Sequence, residues 1–292
     1  MLALNWAATI RDKYDVCLGM HKRLVSLDGV EALSVSLESV DEVRHTLDLI
    51  QPEIVIHTVG LTNVEQCEAN PSLAYHVNVD LTEHVAKACA LAEVTLVYVS
   101  TDHLFSGKVS FSEEDHRVEP QNEYGRTKAE AEKRVLAVCS DALIIRTNFF
   151  GWGPSYRQSF SDKIITSLRG GKSLRLFTDV YYTPIVIESL VHAVHELLAL
   201  RKSGDFHVVG DERLSKYQFG LKISKQFQLD ENLLHPCHLA ECQGLVQRPL
   251  DMSLSNKKVC AALGHKFGSV DEQIHRLFLQ ESLAVAKEVR RL

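Results

Sequence analysis

Short apolar runs alternate with amphipathic segments along the first half of the chain. The apolar runs predict strands at Tyr14–Leu18, Leu33–Val35, Glu53–Thr58, residues 94–99 and Ala142–Arg146. The amphipathic segments predict helices over residues 4–13, Val40–Ile50, Pro71–Leu91 and residues 123–138. Short strands separated by helices are typical of a parallel sheet that is covered by helices on both faces. The pattern therefore predicts an α/β protein with a doubly wound parallel sheet.

The second half of the chain is less regular. It predicts helices at Ser159–Leu168, Ile185–Leu200, Ser215–Phe227 and Asn256–Leu263 and from Val270 onward, with a strand at Phe206–Val209. Residues 229–254 have the composition of loops. Because no repeat and no low-complexity linker separates two parts, we expect two interleaved domains. Residues 1–150 would form the first, with 175–210 returning to it. Residues 151–174 and 211–292 would form most of a smaller lobe.

Composition narrows the classes of function. The chain has 292 residues, of which 45% are apolar, and a net charge of -6. That charge argues against a surface dedicated to nucleic acid or to anionic membranes. No apolar run reaches the length of a membrane-spanning helix, and the first residues lack the basic start of a signal peptide. We expect no nucleic-acid or membrane partner.

Cysteines and histidines do not predict a metal site. None of the seven cysteines belongs to a C-x-x-C motif, and Cys237 and Cys242 flank His238 without a second ligand pair. His192 and His195 share one face of a predicted helix, for which a solvated or packed surface is the simpler interpretation. Free thiols in a reducing cytoplasm fit this usage better than a metal centre.

Ligands of open parallel sheets bind at the carboxyl ends of the strands. Thr58, Val59 and Gly60 follow one predicted strand, and Thr101 and Asp102 follow another. We therefore expect these residues to lie at a ligand site.

A tyrosine and a lysine stand four residues apart near the start of the helix predicted after Asn122, which can cap it. Tyr124 and Lys128 would share one face of that helix, so we expect the ammonium group to lower the pKa of the phenol. The hydroxyl of Thr101 could bond the same carbonyl oxygen as Tyr124. This arrangement favours transfer of a proton while a hydride moves, although a surface tyrosine and lysine would give the same spacing.

Five short segments follow one another in an order and spacing that we compare with a known family: Ala74-Tyr-His-Val-Asn78, Ser100-Thr-Asp-His-Leu-Phe105, Tyr124-Gly-Arg-Thr-Lys128, Arg146-Thr-Asn-Phe-Phe-Gly151, and Arg248-Pro249 with Ser253 and Leu254. In this order the chain resembles the extended short-chain dehydrogenases/reductases, specifically the dTDP-4-dehydrorhamnose reductase branch, along nearly its whole length. His103 replaces a tyrosine of the family pattern. The resemblance implies a Rossmann-like sheet and a small C-terminal lobe that binds a sugar nucleotide.

The resemblance also implies roles for the residues of the motifs. Tyr124 would donate a proton to the carbonyl oxygen of a nucleotide-linked 4-keto-deoxysugar, and Thr101 would orient that carbonyl. Lys128 would also hydrogen-bond the nicotinamide ribose, and Tyr124 and the segment of Thr58, Val59 and Gly60 would bind the same cofactor. Asn78 would hold the active-site backbone or a relay water. Asp102 would support the substrate or the neighbouring loop, with capping of a turn as the alternative.

The chain departs from the family at its start. A dinucleotide-binding domain opens with a strand and a glycine-rich turn that approaches the pyrophosphate. This sequence begins inside what would be the first helix. Either the start is incomplete or the protein lacks the loop, and we expect the cofactor affinity to depend on which holds.

We expect one turn of the chain to determine whether NADPH or NADH is preferred. His21, Lys22 and Arg23 follow the strand predicted at Tyr14–Leu18, where an acidic residue would select NADH. Arginine suits the 2′-phosphate of NADPH, so NADPH is the preferred cofactor and NADH remains possible. A solvated basic turn is the alternative.

Substrate contacts are expected at His103, Asn148, Trp152 and Arg248, with ordinary packing as the alternative for Trp152. Arg248 could hold a diphosphate through two hydrogen bonds. Two other functions stay open. One is a non-catalytic, NADP-binding subunit resembling the beta subunit of methionine adenosyltransferase, and the other is a sugar-nucleotide epimerase or dehydratase. Family members often form homodimers.

Overall fold

The structure is a computed structural model that describes residues 1–21, 23, 25–242 and 244–292. Within these residues the helices α1 to α12 are Leu2–Ile10, Val40–Ile50, Val64–Ala69, Pro71–Tyr75, Leu81–Leu91, Glu123–Val138, Phe160–Arg169, Ile187–Ala199, Lys216–Gln226, Lys257–Leu263, Val270–Ser282 and Ala284–Arg291. The strands β1 to β12 are Cys17–Met20, Glu31–Ser34, Ile54–His57, Thr95–Val99, Leu143–Arg146, Phe149–Phe150, Leu174–Phe177, Tyr181–Tyr182, Ile185–Val186, Gly204–His207, Leu214–Ser215 and Leu234–Cys237.

The main sheet has four parallel strands in the order β10-β5-β4-β3. Strands β1 and β2 form a separate parallel pair. The prediction of an α/β protein built on a parallel sheet is confirmed. Because each connection between neighbouring parallel strands must cross over, the helices cover the faces of the sheet.

Alternate residues of β4 face opposite layers of helices. Val97 and Val99 pack in one apolar cluster with α1 and α8. Leu96 and Tyr98 pack in another with α2, α5 and α6. This alternation follows from the two-residue period of a strand, and burial of both faces explains the continuous apolar run. The carboxyl end of β4 is consequently fixed from both sides.

The remaining large apolar cluster lies outside the main sheet, and from here on we use the term smaller lobe for the elements that form it. It draws on residues 150–186 and 214–286, with Phe219 and Ile164 fully buried at its centre. Short strand pairs border it, β7 with β12 and β8 with β11. These strands were not predicted because pairs of two to four residues leave too little periodicity to detect.

The helix predicted over Pro71–Leu91 is interrupted. Between α4 and α5, residues His76–Asp80 form a wider π-helical turn. Such turns often occur at functional sites, and this one holds Asn78. In the described part of the chain, no helix combines the length and the apolar character that crossing a bilayer requires.

Candidate active site

The carboxyl end of β4 and the first turn of α6 meet at the candidate active site. Asn122 caps α6, since its side-chain oxygen accepts a hydrogen bond of 2.9 Å from the backbone N–H of Gly125. Thr101 follows β4, and Tyr124 and Lys128 lie one turn apart on α6. All three side chains are buried. The structure therefore brings the predicted acid/base residues into one region of the core.

Gly125 permits the close approach of α6 to the segment after β4. A Cβ atom at this position would lie 2.4 Å from the carbonyl oxygen of His103 and 2.9 Å from Cβ of Pro120. A larger residue would push the helix away. As a result of this contact, the ring of His103 packs edge-on against Tyr124, with 5.3 Å between the ring centroids.

Lys128 is held by the backbone of β4. Its Nζ donates a 2.8 Å hydrogen bond to the carbonyl oxygen of Val99 and lies 4.1 Å from the ring centroid of Tyr98. Burial lowers the pKa of Lys128 to about 7, with Glu132 acting in the opposite direction. When it is charged, the amino group has three donors, so two remain for a ligand beside Val99.

The pKa of the Tyr124 phenol is raised, whereas we expected from the sequence that it would be lowered. Burial raises the pKa of Tyr124 above its ordinary value, and Thr101 opposes this shift while Asp102 adds to it. Lys128, from which we expected a lowering, is not among the groups that shift this pKa, and desolvation of the buried phenol disfavours the phenolate. The structure accordingly favours a protonated Tyr124, which suits a proton donor.

Asn78 ties the segment after β3 to α6. Its amide oxygen accepts from the N–H of Leu61 at 2.7 Å, and its amide nitrogen donates to the Leu61 carbonyl at 3.1 Å and to the Thr127 hydroxyl at 3.0 Å. Gly60 lies against this amide, since a Cβ there would be 3.2 Å from its oxygen. The segment containing Thr58, Val59 and Gly60 is thereby held at the carboxyl edge of the sheet.

A cavity of about 270 Å³ opens beside this site. The predicted residues His103, Asn148 and Arg248 line it. Asn148 donates a hydrogen bond to the carboxylate of Asp102, whose other oxygen accepts from Thr101. Asp102 therefore links the candidate catalytic hydroxyl to the wall of the cavity.

Trp152 lies elsewhere than we expected. Its side chain is 2% exposed in the core of the smaller lobe, where the indole N–H donates a 3.2 Å hydrogen bond to the carbonyl of Leu277. Its ring also packs edge-on against Phe227. A large aromatic side chain contributes most when its surface is buried and its N–H has a partner, and both conditions are met inside the lobe. The structure supports packing rather than substrate contact for Trp152.

The basic turn after β1 lies at the surface. His21 and Arg23 are exposed, and the Arg23 guanidinium carbon lies 3.8 Å from the ring centroid of Tyr156. Lys22, the third residue predicted there, is outside the described residues. Arg23 is thus held by an aromatic face while its charge stays accessible.

Two basic residues of the cavity were not predicted, Arg175 and Lys216. Lys216 begins α9, and Arg175 lies in β7. A single lysine at a helix start and a single arginine in a short strand have the pattern of ordinary surface residues. Only the packing of the smaller lobe against the end of β4 brings them to one cavity.

The comparisons with known proteins agree with this geometry. Residues 17–282 match the RmlD substrate-binding domain family. A probable low-salt glycan biosynthesis reductase of Haloferax volcanii is 30% identical, over 83% of this chain and 82% of its own. The methionine adenosyltransferase 2 subunit beta of Bos taurus is 28% identical, over 85% and 75% respectively.

Among solved structures, a hypothetical dTDP-4-dehydrorhamnose reductase from Sulfolobus tokodaii is 28% identical. It superposes with a TM-score of 0.80 and covers 92% of this chain and 93% of its own. The sequence resemblance is confirmed by these matches. The chain belongs to the RmlD substrate-binding domain family of extended short-chain dehydrogenases/reductases, which are NAD(P)-dependent oxidoreductases.

Proposed function

We propose that this protein is an NAD(P)H-dependent reductase of a nucleotide-linked 4-keto-deoxysugar. The observation that carries the proposal is the buried group of Thr101, Tyr124 and Lys128 beside a cavity lined by basic residues. A proton donor next to a basic cavity suits a carbonyl substrate that carries phosphate groups. The hypothetical dTDP-4-dehydrorhamnose reductase among the similar structures supports this substrate class.

The residues fit a nicotinamide cofactor. In its charged form Lys128 has two donors beyond its bond to Val99, and Asn78 holds the backbone after β3 at the same edge of the sheet. The bound cofactor would supply the hydride. Arg23, exposed after β1, favours NADPH because a guanidinium pairs well with the 2′-phosphate.

Tyr124 would transfer the proton. Because burial raises its pKa, the phenol stays protonated until the carbonyl oxygen gains negative charge. The Thr101 hydroxyl, which donates to Asp102 in the structure, would turn to donate to that oxygen and stabilise the developing charge. Lys128 would hold the nicotinamide ribose of the cofactor through its two remaining donors. Asn78 would keep the backbone after β3 in place.

The test is a reductase assay with NADPH and dTDP-4-dehydrorhamnose, followed by NADPH absorbance and by product analysis. Consumption of NADPH with formation of the reduced sugar, lost in Tyr124→Phe, supports the proposal. A folded protein that binds both compounds and leaves them unchanged contradicts it. NADH run in parallel measures the cofactor preference.

A second function is favoured by the likeness to the methionine adenosyltransferase beta subunit. In that case the chain would bind a catalytic partner and NADP without turnover. Mixing the protein with methionine adenosyltransferase and measuring complex formation by gel filtration distinguishes the two. A stable complex with altered transferase kinetics, together with no reduction of any ketosugar nucleotide, would favour the regulatory function.

A further inference from the structure

Lys216 is the first residue of α9, and it lines the cavity. Ser215 and Gln218 form a reciprocal capping box that fixes the backbone at this point. The Lys216 ammonium lies 3.2 Å from the ring centroid of Tyr182 and 5.1 Å from that of Phe160. Two aromatic faces therefore hold the charge at the cavity wall.

The three basic residues that line the cavity differ in their partners. Arg248 pairs with Glu65, and Arg175 pairs with Glu241 at 2.8 Å. Among the described residues, no carboxylate lies within ion-pair distance of the Lys216 ammonium. Lys216 is thus the cavity cation whose charge is balanced least within the protein.

The carboxylate that acts on Lys216, that of Asp102, already accepts two hydrogen bonds. Asp102 favours the charged form of Lys216, but its two oxygens accept hydrogen bonds from Thr101 and Asn148. Burial, together with the smaller effect of Arg248, lowers the pKa of Lys216 to about 8. A desolvated cation without a counter-ion gains more from an anionic ligand than a cation that already has a partner.

We propose that Lys216 pairs with the diphosphate of a nucleotide sugar, an inference that rests on the function proposed above. The Tyr182 and Phe160 rings cover part of the ammonium of the half-buried Lys216, and this partial desolvation strengthens its attraction for phosphate oxygens. Arg248 lines the same cavity and would contact the same diphosphate while remaining paired to Glu65. Lys216 thereby selects ligands with a phosphate over the free nucleoside or sugar.

The experiment compares Lys216→Met with Lys216→Arg and with Lys222→Met as a matched control on the same helix. Lys222 pairs with Asp271 at 2.6 Å and does not line the cavity among the described residues. Calorimetric titration with dTDP and UDP gives the affinity for the diphosphate. Ligand-observed NMR with thymidine gives the affinity without phosphate, and thermal unfolding gives the stability of each variant.

Lys216→Met is expected to bind the diphosphate roughly tenfold more weakly or worse, the loss of one charge-assisted hydrogen bond. Thymidine binding and Lys222→Met should be unchanged, and Lys216→Arg should recover most of the affinity. The melting temperature of Lys216→Met should equal or exceed that of the wild type, because an unbalanced charge is removed.

Equal diphosphate affinity in the wild type and Lys216→Met would overturn the inference. So would an equal loss for thymidine, or a melting temperature lowered by several degrees, since either result would give Lys216 a structural role over Tyr182. A wild type that binds neither dTDP nor UDP would instead reject the nucleotide-sugar function itself. The two failures are therefore separate results of one titration series.

Discussion

The catalytic side and the cofactor side of this protein are built differently. We define the catalytic side by Thr101, Tyr124 and Lys128, which are buried between the main sheet and α6. The cofactor side consists of the β1–β2 pair and the turn at His21 and Arg23, which are exposed. The pair β1–β2 is not part of the main sheet. Packing thus fixes the proposed proton donor, whereas in our proposal exposed side chains would determine the choice of cofactor.

Because of this difference, we expect turnover and cofactor affinity to depend on different residues. Changes on the catalytic side should alter turnover or stability, because each group is held by the core. Changes on the cofactor side should alter the affinity for one cofactor with little effect on folding, because exposed charges contribute little to stability. If a substitution on one side changed the property assigned to the other side, the two sides would be coupled.

The largest expected effect is that of Tyr124→Phe. Removal of the phenol oxygen deletes the proposed proton donor, so kcat should fall by roughly 10²- to 10⁴-fold. The phenylalanine ring keeps the edge contact with His103, so cofactor affinity should stay within about threefold of the wild type. Steady-state kinetics and a fluorescence titration with NADPH measure the two. Retained turnover would remove Tyr124 from the mechanism.

Gly125→Ala tests whether packing positions the catalytic side. In a helix, alanine is favoured over glycine by about 1 kcal/mol. Here the added methyl group would lie 2.4 Å from the His103 carbonyl, and such overpacking costs about 1–3 kcal/mol. The free energy of unfolding in urea should therefore fall, and kcat should fall with it. Lys133→Ala, at an exposed position of α6, is the control, and a Gly125→Ala protein as stable as that control would contradict the steric argument.

The sequence predicts the catalytic side well because its signals are local. The spacing of Tyr124 and Lys128, the cap at Asn122 and the apolar run before Thr101 each follow from short-range rules. The bounds of α2 and α6 agree with the prediction to the residue. What the pattern could not give is the pKa of Tyr124, because desolvation depends on the packing of the whole site.

Predictions failed where long-range packing decides. Trp152 was expected at the substrate on the basis of its loop position, yet it completes the core of the smaller lobe with Phe227. Lys216 and Arg175 carried no local signal, although both line the cavity. Residues far apart in the chain meet there, and their contacts have no periodicity to read.

Lys128→Met tests the buried charge through its pH dependence. Burial lowers the pKa of Lys128 to about 7, whereas an unfolded lysine titrates near 10.4. Between these values the unfolded chain binds one more proton than the folded chain, so this residue makes the wild type more stable as the pH rises. Below about pH 7 both states hold the proton and the dependence vanishes.

The stability of Lys128→Met minus that of the wild type should accordingly decrease from pH 7 to 9, by up to about 1.4 kcal/mol per pH unit. Urea unfolding of both proteins at several pH values measures this difference, in which the other titrating groups cancel. Lys133→Met, with an exposed ammonium, should show no such slope. A difference independent of pH would mean that Lys128 stays charged in the folded protein.

The smallest expected effect lies on the cofactor side. Arg23→Ala removes the accessible guanidinium beside Tyr156, so NADPH affinity should fall about tenfold through loss of a charge-assisted pair with the 2′-phosphate. NADH affinity and the melting temperature should not change, because NADH lacks that phosphate and Arg23 is exposed. Fluorescence titrations with both cofactors measure the selectivity, with Arg117→Ala as a control for total surface charge. An equal loss for NADPH and NADH would assign Arg23 to the shared part of the cofactor or to the local fold. An unchanged ratio of NADPH affinity to NADH affinity would mean that other residues determine the choice of cofactor. The division between the two sides would then rest only on the measurements of turnover and stability.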